Sequence, residues 1–209
     1  MKLYDCSTAP SPRRVRIFAA EKGLELDKVE IDLSKGEQFS DSFRQINADC
    51  VVPVLELDDG TCINEVSAIC QYLEKAFPEP ALYGSTAVEL ATVVMWDSKI
   101  EQQGLAAMRD AFRNSVKGLK AHALTGPVSY EQIPELAERG RTAVSVFLQR
   151  LDEQLEGKEF VAGDSFSIAD ISALVLVDFA AWIKITIPAD ATDLKRWYDA
   201  VSSRPSAAA

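Results

Sequence analysis

The stretch Val51-Val52-Pro53-Val54-Leu55-Glu56-Leu57-Asp58-Asp59-Gly60-Thr61-Cys62-Ile63-Asn64-Glu65-Val66-Ser67-Ala68-Ile69 changes its period twice. Val54–Leu57 and Thr61–Ile63 are short apolar runs on either side of Asp58-Asp59-Gly60, which predicts two strands joined by a tight hairpin. From there the spacing becomes helical: Ala68, Ile69, Tyr72, Leu73 and Ala76 share one face, and the helix is expected to end near Pro78 and Pro80. Upstream, Lys2–Asp5 reads as a strand. Val15, Phe18, Ala19 and Lys22 read as a helix that Gly23 closes, and Asp27–Leu33 reads as a half-buried strand turning Val29, Ile31 and Leu33 inward. Phe39, Phe43 and Ile46 suggest a short helix, so the first part of the chain has the order β-α-β-α-β-β-α.

Beyond the connector around Pro78 and Pro80 the sequence reads as helical. Val88–Arg113 is expected to be one long helix, and Glu131–Leu155 carries Ala137, Gly140, Val144, Phe147, Leu148, Leu151 and Leu155 on one stripe. Between Ser167 and Ile183 apolar residues run nearly all the way round, which marks a helix buried on most sides; Leu194, Trp197, Tyr198 and Val201 line a last one. The predicted fold class is therefore α/β plus all-α: a small α/β domain over 1–78, a linker over 79–87, and an all-helical domain over 88–209.

At 209 residues the chain can bury a substantial core, and 47% hydrophobic with 26% charged residues is the balance of an ordinary globular protein. Its 32 acidic against 22 basic residues give a net charge of −10, which repels phosphate backbones and anionic lipid, so neither nucleic acid nor a membrane surface is an expected partner. The apolar run from Ile171 to Ile183 is broken by Ser172 and Asp178 and is too short to span a bilayer. Met1–Asp5 goes directly into strand-like sequence with no signal-peptide core. Cys6, Cys50, Cys62 and Cys70 lack C-x-x-C spacing and read as reduced thiols, which points to the cytoplasm. His122 is the only histidine, which excludes a His-rich metal site and argues against a Ser-His-Asp triad. Ser167-Ile168-Ala169-Asp170 places a hydroxyl at N-cap and a carboxylate at N3, with Phe166 and Ile171 available as a staple; we read it as a device that starts the buried helix rather than as a site.

Taken in order, several of these stretches resemble the cytosolic glutathione S-transferase family over nearly the whole chain. Val51-Val52-Pro53-Val54-Leu55 is similar to the family's segment with a cis-proline before the third strand. Glu65-Val66-Ser67-Ala68-Ile69 is similar to its Glu/Gln-Ser-x-Ala-Ile at the start of the third helix, and Phe160–Asp170 to its capping-box stretch. Ala9–Ile17 and Val52–Gly60 most resemble the yeast-type second transferase and its bacterial relatives. The resemblance implies a thioredoxin-like domain over 1–78 that binds glutathione, a helical domain over 88–209 that carries the electrophile site, and a cytoplasmic homodimer that uses glutathione as co-substrate and no metal.

The chemistry of the ligand agrees with that expectation. Glutathione is an extended tripeptide with two carboxylates, an ammonium and a thiol. A cis bond before Pro53 turns the Val52 amide and carbonyl outward to pair with a bound peptide. The helix opened by Glu65-Val66-Ser67 offers unpaired amides to the γ-glutamyl carboxylate, while the Glu65 side chain can face the ammonium. Val66 stands where the family carries serine, which removes a hydroxyl donor of about 1.5–3 kcal/mol toward a charged partner.

The sulfur must react as thiolate. With a free pKa of about 8.5, only about 3% is ionised at pH 7, and lowering the pKa by two units takes about 2.7 kcal/mol. The amino end of the first helix contributes about 0.3–1 kcal/mol, up to about 2 in a partly buried site, so a hydrogen bond must supply the rest. Relatives carry Tyr, Ser or Cys for this role, and the slot used by the Ser and Cys types falls on Ala9, which has no donor. Ser11 is the leading candidate for the catalytic role, with an N-cap role before Pro12 beside it; an arrangement of amides and a water is the alternative. Thr8, Ala9 and Pro10 complete the expected glutathione site with Val52, Pro53, Glu65, Val66 and Ser67. Cys6 and Tyr4 are expected to pack rather than to react.

For the electrophile, which the family binds between its domains against the long helix, the candidates are Gly104, Met108, Phe112 and Trp182 as apolar lining, and Arg109 and Arg113 to stabilise charge on a leaving group. Asp97 and Glu101 are candidates to reach the partner subunit's glutathione ammonium. The expected activity is conjugation of glutathione to small hydrophobic electrophiles; a non-catalytic glutathione-binding or interaction protein of the same fold is the alternative, supported by Ala9 and Val66.

Overall fold

The computed structural model describes all 209 residues, which divide into two compact units. The first comprises Met1–Pro80 with Thr125–Val128 and Ala208–Ala209. It holds β1 (Lys2–Asp5), α1 (Pro10–Glu21), β2 (Asp27–Glu30), α2 (Asp41–Ile46), β3 (Val54–Glu56), β4 (Cys62–Asn64) and α3 (Val66–Ala76). The sheet order is β2-β1-β3-β4, with β1 parallel to β2 and antiparallel to β3, and β3 antiparallel to β4. Alternation along β1 and β3 sorts their side chains to two faces. Tyr4 and Val54 share a cluster with Ile31 and with Phe43 of α2, and Val29, Leu33, Ile46 and Val52 pack around it. Leu3 and Leu55, paired in register, turn the other way and are fully buried, as are Val15, Phe18, Ile69 and Leu73 of α1 and α3.

Two details of the α/β reading change. On α3, Ala68 and Ala76 are exposed and Cys70 is buried in their place: the inward face follows Val66, Ile69, Cys70 and Leu73. β2 ends at Glu30, although Ile31 and Leu33 still point to the predicted side. The hairpin forms as read. Its turn closes through the Gly60 amide on the Leu57 carbonyl (3.0 Å), with Gly60 at φ 86°, where a residue without Cβ is favoured.

The second unit, Ala81–Leu124 with Ser129–Ala207, is helical. It contains α4 (Ala87–Lys99), a π-helical segment (Ile100–Leu105), α5 (Ala106–Arg113), α6 (Pro134–Leu155), α7 (Ile168–Ala181) and α8 (Thr192–Ser202). The expected single helix over 88–113 is thus two α-helices joined through a widened turn. The segment between α5 and α6 is irregular apart from a short 3-10 turn at Lys117–Leu119, and α6 starts at Pro134 rather than Glu131. The predicted α6 stripe, Ala137 through Leu155, is its buried face residue for residue. At Gly140 an added Cβ would lie 2.5 Å from the Ala107 carbonyl oxygen and 2.7 Å from the Ala111 amide, so this glycine sets how closely α5 and α6 approach. α7 is buried continuously from Ile168 to Val177.

The start of α7 carries the predicted capping box. The Asp170 carboxylate is fully buried and collects four donors: the Val161 amide (2.9 Å) and Trp197 Nε1 (2.9 Å) on one oxygen, and the Ser167 amide and hydroxyl (both 3.0 Å) on the other. Its role is structural, as read.

Candidate active site

Three segments of the first unit emerge at one end of its sheet because of strand direction alone. β1 ends at Asp5 and leads through Cys6–Ala9 into α1. β3, antiparallel to β1 with Tyr4 opposite Val54, begins at that same end just after Val52-Pro53, and β4, with Asn64 opposite Val54, finishes there and leads into Glu65. The Val52–Pro53 bond is cis, as the resemblance implies, and neither the amide nor the carbonyl of Val52 enters a backbone hydrogen bond.

The two helix tips at this end differ in what they offer. At α3 the N-cap is Glu65, held at φ 67°, ψ 127°, a region that side-chain-bearing residues occupy at a cost of about 1–3 kcal/mol and that gathers at functional sites. No side chain caps this helix, so the amides of Val66, Ser67 and Ala68 are open to an anion, with the dipole's positive end behind them. Val66 points its side chain into the core, whereas Glu65 and Ser67 are exposed.

At α1 the N-cap is Ala9 and Pro10 is the first helical residue, so Ser11 is not the N-cap that its Ser-Pro context predicts. The reason is the turn before it: the Ala9 amide bonds the Cys6 carbonyl (2.9 Å) and the Arg13 amide returns to the Ala9 carbonyl (3.3 Å), which starts the helix one proline earlier. With Pro10 and Pro12 both lacking an N–H, Ser11 supplies the only open amide of the first turn and also its only hydroxyl. Thr8 is exposed, with its hydroxyl 3.5 Å from the buried Cys6 sulfur. Tyr4 packs edge-on against Phe43 and donates its hydroxyl to Glu56 (2.6 Å), away from this turn.

A residue absent from the expectations supports two of these segments. Asn47 is buried; its side-chain NH2 donates to the Val51 carbonyl (2.9 Å), and its oxygen accepts from the Asp49 amide (3.1 Å) and from Asn64 Nδ2 (3.2 Å). It links the residue before Val52 to the residue before Glu65. Its sequence signal is faint: one asparagine directly after the apolar end of α2.

In the helical unit the electrophile candidates separate by burial. Gly104, Met108 and Phe112 do share one face, but that face turns into the bundle. A Cβ on Gly104 would collide with Leu176 and Phe147, and Met108 has no exposed surface, so both are packing residues rather than lining. Phe112, at the end of the stripe, is half-buried and forms edge-to-face pairs with Phe179 (5.2 Å) and with Trp182 (5.6 Å), which is 51% exposed; Phe179 and Trp182 pair at 5.0 Å. Phe179 was not among the candidates, although its i, i+3 spacing to Trp182 on a helix signals the pair. Arg109 is exposed. Arg113 holds the irregular segment after α5, donating to the carbonyls of His122 (2.6 Å) and Leu124 (3.1 Å); burial first, then the charge of Arg109, lowers its pKa. Asp97 accepts from Ser172 of α7 (2.6 Å), which ties it to the bundle. No group of His, Cys, Asp or Glu is placed to hold a metal ion.

Residues 8–76 match the family model described as "Glutathione S-transferase, N-terminal domain", and residues 102–205 match "Glutathione S-transferase, C-terminal domain". Among curated proteins the chain is similar to "Glutathione S-transferase 2" of Saccharomyces cerevisiae, 36% identical over 209 residues that cover 99% of this chain and 87% of the relative. The chain belongs to the glutathione S-transferase family. Solved structures of the family superpose over its full length. A glutathione S-transferase domain-containing protein from Marinobacter aquaeolei VT8 aligns with TM-score 0.90 at 37% identity, covering 99% of both chains. Gtt2 from Saccharomyces cerevisiae aligns with TM-score 0.89 at 36% identity, covering 99% of this chain and 98% of the other. As a glutathione S-transferase the chain is an enzyme with glutathione as co-substrate, built from a thioredoxin-like sheet domain followed by a helical one.

Proposed function

We propose that this transferase holds the glutathione sulfur at the amino end of α1, with Ser11 as the group that keeps it ionised, and delivers it to small hydrophobic electrophiles. The thiol proton leaves to water. The thiolate then forms an S–C bond as the bond to the leaving group breaks, and the leaving group departs with that electron pair. The observation that carries this reading is the single open amide and single hydroxyl at the α1 tip, both from Ser11, at the sheet end that also bears Val52 and the open α3 tip. In this arrangement Val52 pairs with the cysteinyl backbone and Pro53 shapes its loop. The amides of Val66 and Ser67 take the γ-glutamyl carboxylate, Glu65 faces the ammonium, and Thr8, Ala9 and Pro10 border the sulfur. Residues 1–78 are the glutathione domain and 88–209 the electrophile domain, where Phe112 and Trp182 with Phe179 form the apolar surface. Burial of an apolar substrate there is worth about 25 cal/mol per Å², and Arg109 is the cation free to meet a leaving group.

The test is absorbance near 240 nm as glutathione is added across a pH series, followed by turnover of a halonitroarene. A thiolate band at neutral pH together with turnover is expected. Binding without a lowered thiol pKa would leave a glutathione-binding protein that does no chemistry.

We assign a homodimer as the working form. α4 exposes Leu90 and Val94, one turn apart, with Met95 beside them and Val88 at its start, an apolar face that suits a second copy of this chain. Sedimentation should give twice the chain mass, and Val94→Glu should return it to one. Detoxification in the cytoplasm is the setting that suits four free cysteines.

A further inference from the structure

We infer that Glu30 and Arg16 are positioning residues that grip the turn ahead of α1 and thereby set the ionisation of the bound thiol, an inference that rests on the reading of Ser11 above. Ser7 lies in that turn, and every polar group it has is engaged. Its amide donates to both oxygens of the Glu30 carboxylate (2.9 and 3.1 Å), and its hydroxyl donates to one of them (3.0 Å). Its carbonyl accepts from Arg16 Nη2 (2.9 Å). The other terminal nitrogen of Arg16 reaches the Asp5 carboxylate (2.5 Å) and the Cys6 carbonyl (3.4 Å). Arg16 and Asp5 are buried, and Glu30, the last residue of β2, is exposed. The turn is thus held from the second strand on one side and from the body of α1 on the other.

Such a grip matters more here than at a helix tip with several donors. A hydrogen bond weakens steeply once its angle or length drifts. The α1 tip has one amide and one hydroxyl, because Pro10 and Pro12 contribute none, so a misaligned donor has no neighbour to replace it. None of the gripping groups is placed on the sulfur in this reading; they act through the Cys6–Ala9 turn. Val52 and the α3 tip, which hold the peptide part of glutathione, are attached to other strands, so affinity and ionisation should separate.

Glu30 is the variant of choice because an exposed carboxylate is dispensable for folding. Glu30→Ala should raise the pKa of bound glutathione by about one unit, and kcat near pH 6.5 should fall about tenfold. KM for glutathione should stay within about twofold and the melting temperature within about 2 °C of the parent. Glu30→Gln keeps an acceptor for the Ser7 amide and should stay within about threefold of the parent in kcat. The pair also separates geometry from charge, since loss of a negative charge alone would lower the thiol pKa in both variants. An unchanged or lowered pKa in Glu30→Ala overturns the inference. So does Glu30→Gln matching Glu30→Ala, or a loss seen only in KM. If the parent enzyme itself shows no lowered thiol pKa, the assignment of Ser11 fails instead, and the two failures are distinct.

Discussion

Asp170→Ala should cost about 4 kcal/mol of stability, the largest loss expected from any single side chain described above. The carboxylate is fully buried with four donors on it, and alanine would leave the Val161 amide, the Ser167 amide and Trp197 Nε1 without an acceptor in a dry core. Leaving a buried donor without a partner costs about 1–3 kcal/mol each, so three of them together reach about 4 kcal/mol or more, against a total stability of about 5–15 kcal/mol. At about 2–4 °C per kcal/mol for a chain of this size, the melting temperature should drop by about 10 °C or more. Asp170→Asn keeps one acceptor oxygen and should lose about half as much. Burial pushes the Asp170 carboxyl up to about 6 from its ordinary 3.8, with the four hydrogen bonds pulling the other way. The native state therefore holds this proton more tightly than the unfolded chain does. The linked stabilisation is complete below about pH 4 and is lost as pH rises through about 6. Chemical denaturation of the parent and of Asp170→Asn across pH 4–7 should show their difference shrinking with rising pH; a difference that grows would contradict the buried titration.

Ser11→Ala is the second large effect, and it falls on activity. A hydroxyl donating to a charged partner is worth about 1.5–3 kcal/mol, which is about 10- to 150-fold in kcat and about one to two units in the pKa of the bound thiol. Fold stability should hold, because the N-cap is Ala9 and Ser11 lies inside the first turn, where its loss removes no cap. Ser11→Thr keeps the hydroxyl and should retain most of the rate. The pH profile of kcat/KM and the 240 nm titration read the effect directly. If amides and a water carried the sulfur, Ser11→Ala would lose less than about threefold, since Ser11 keeps its own amide whatever its side chain.

How far the sequence could be read follows from what each signal measures. The α6 face from Ala137 to Leu155 was legible to the residue because a 3.6 period records which side meets the core. The capping box was legible because its two members are local to each other. The N-cap of α1 was not: Ser11-Pro12 is the better start by its side chain, yet Ala9-Pro10 also puts a proline at the first helical position, and the helix begins there beside the hydrogen bond from the Ala9 amide to Cys6. Gly104, Met108 and Phe112 are spaced four residues apart and do share a face, yet that spacing does not tell whether the face looks into the bundle or into a cleft. Arg113 looked like a cation for a leaving group because its carbonyl partners follow it in an irregular segment that no period describes. Asn47, Glu30 and Arg16 stayed hidden because their hydrogen bonds exist only between distant segments that folding brings together.

The π-helical segment at Ile100–Leu105 has an outcome of its own. An α-helix turns by about 100° per residue, so taking one surplus residue into the widened turn sets everything after it about that angle away from where an unbroken continuation of α4 would put it. The direction in which Phe112 points is therefore fixed by a residue count as much as by side-chain chemistry. Winding the same residues as an unbroken α-helix would swing Phe112 by more than a quarter turn from Phe179 and Trp182 while leaving the apolar face of α4 where it stands. Along this rod the facing of Phe112 and the facing of the apolar side of α4 are set separately.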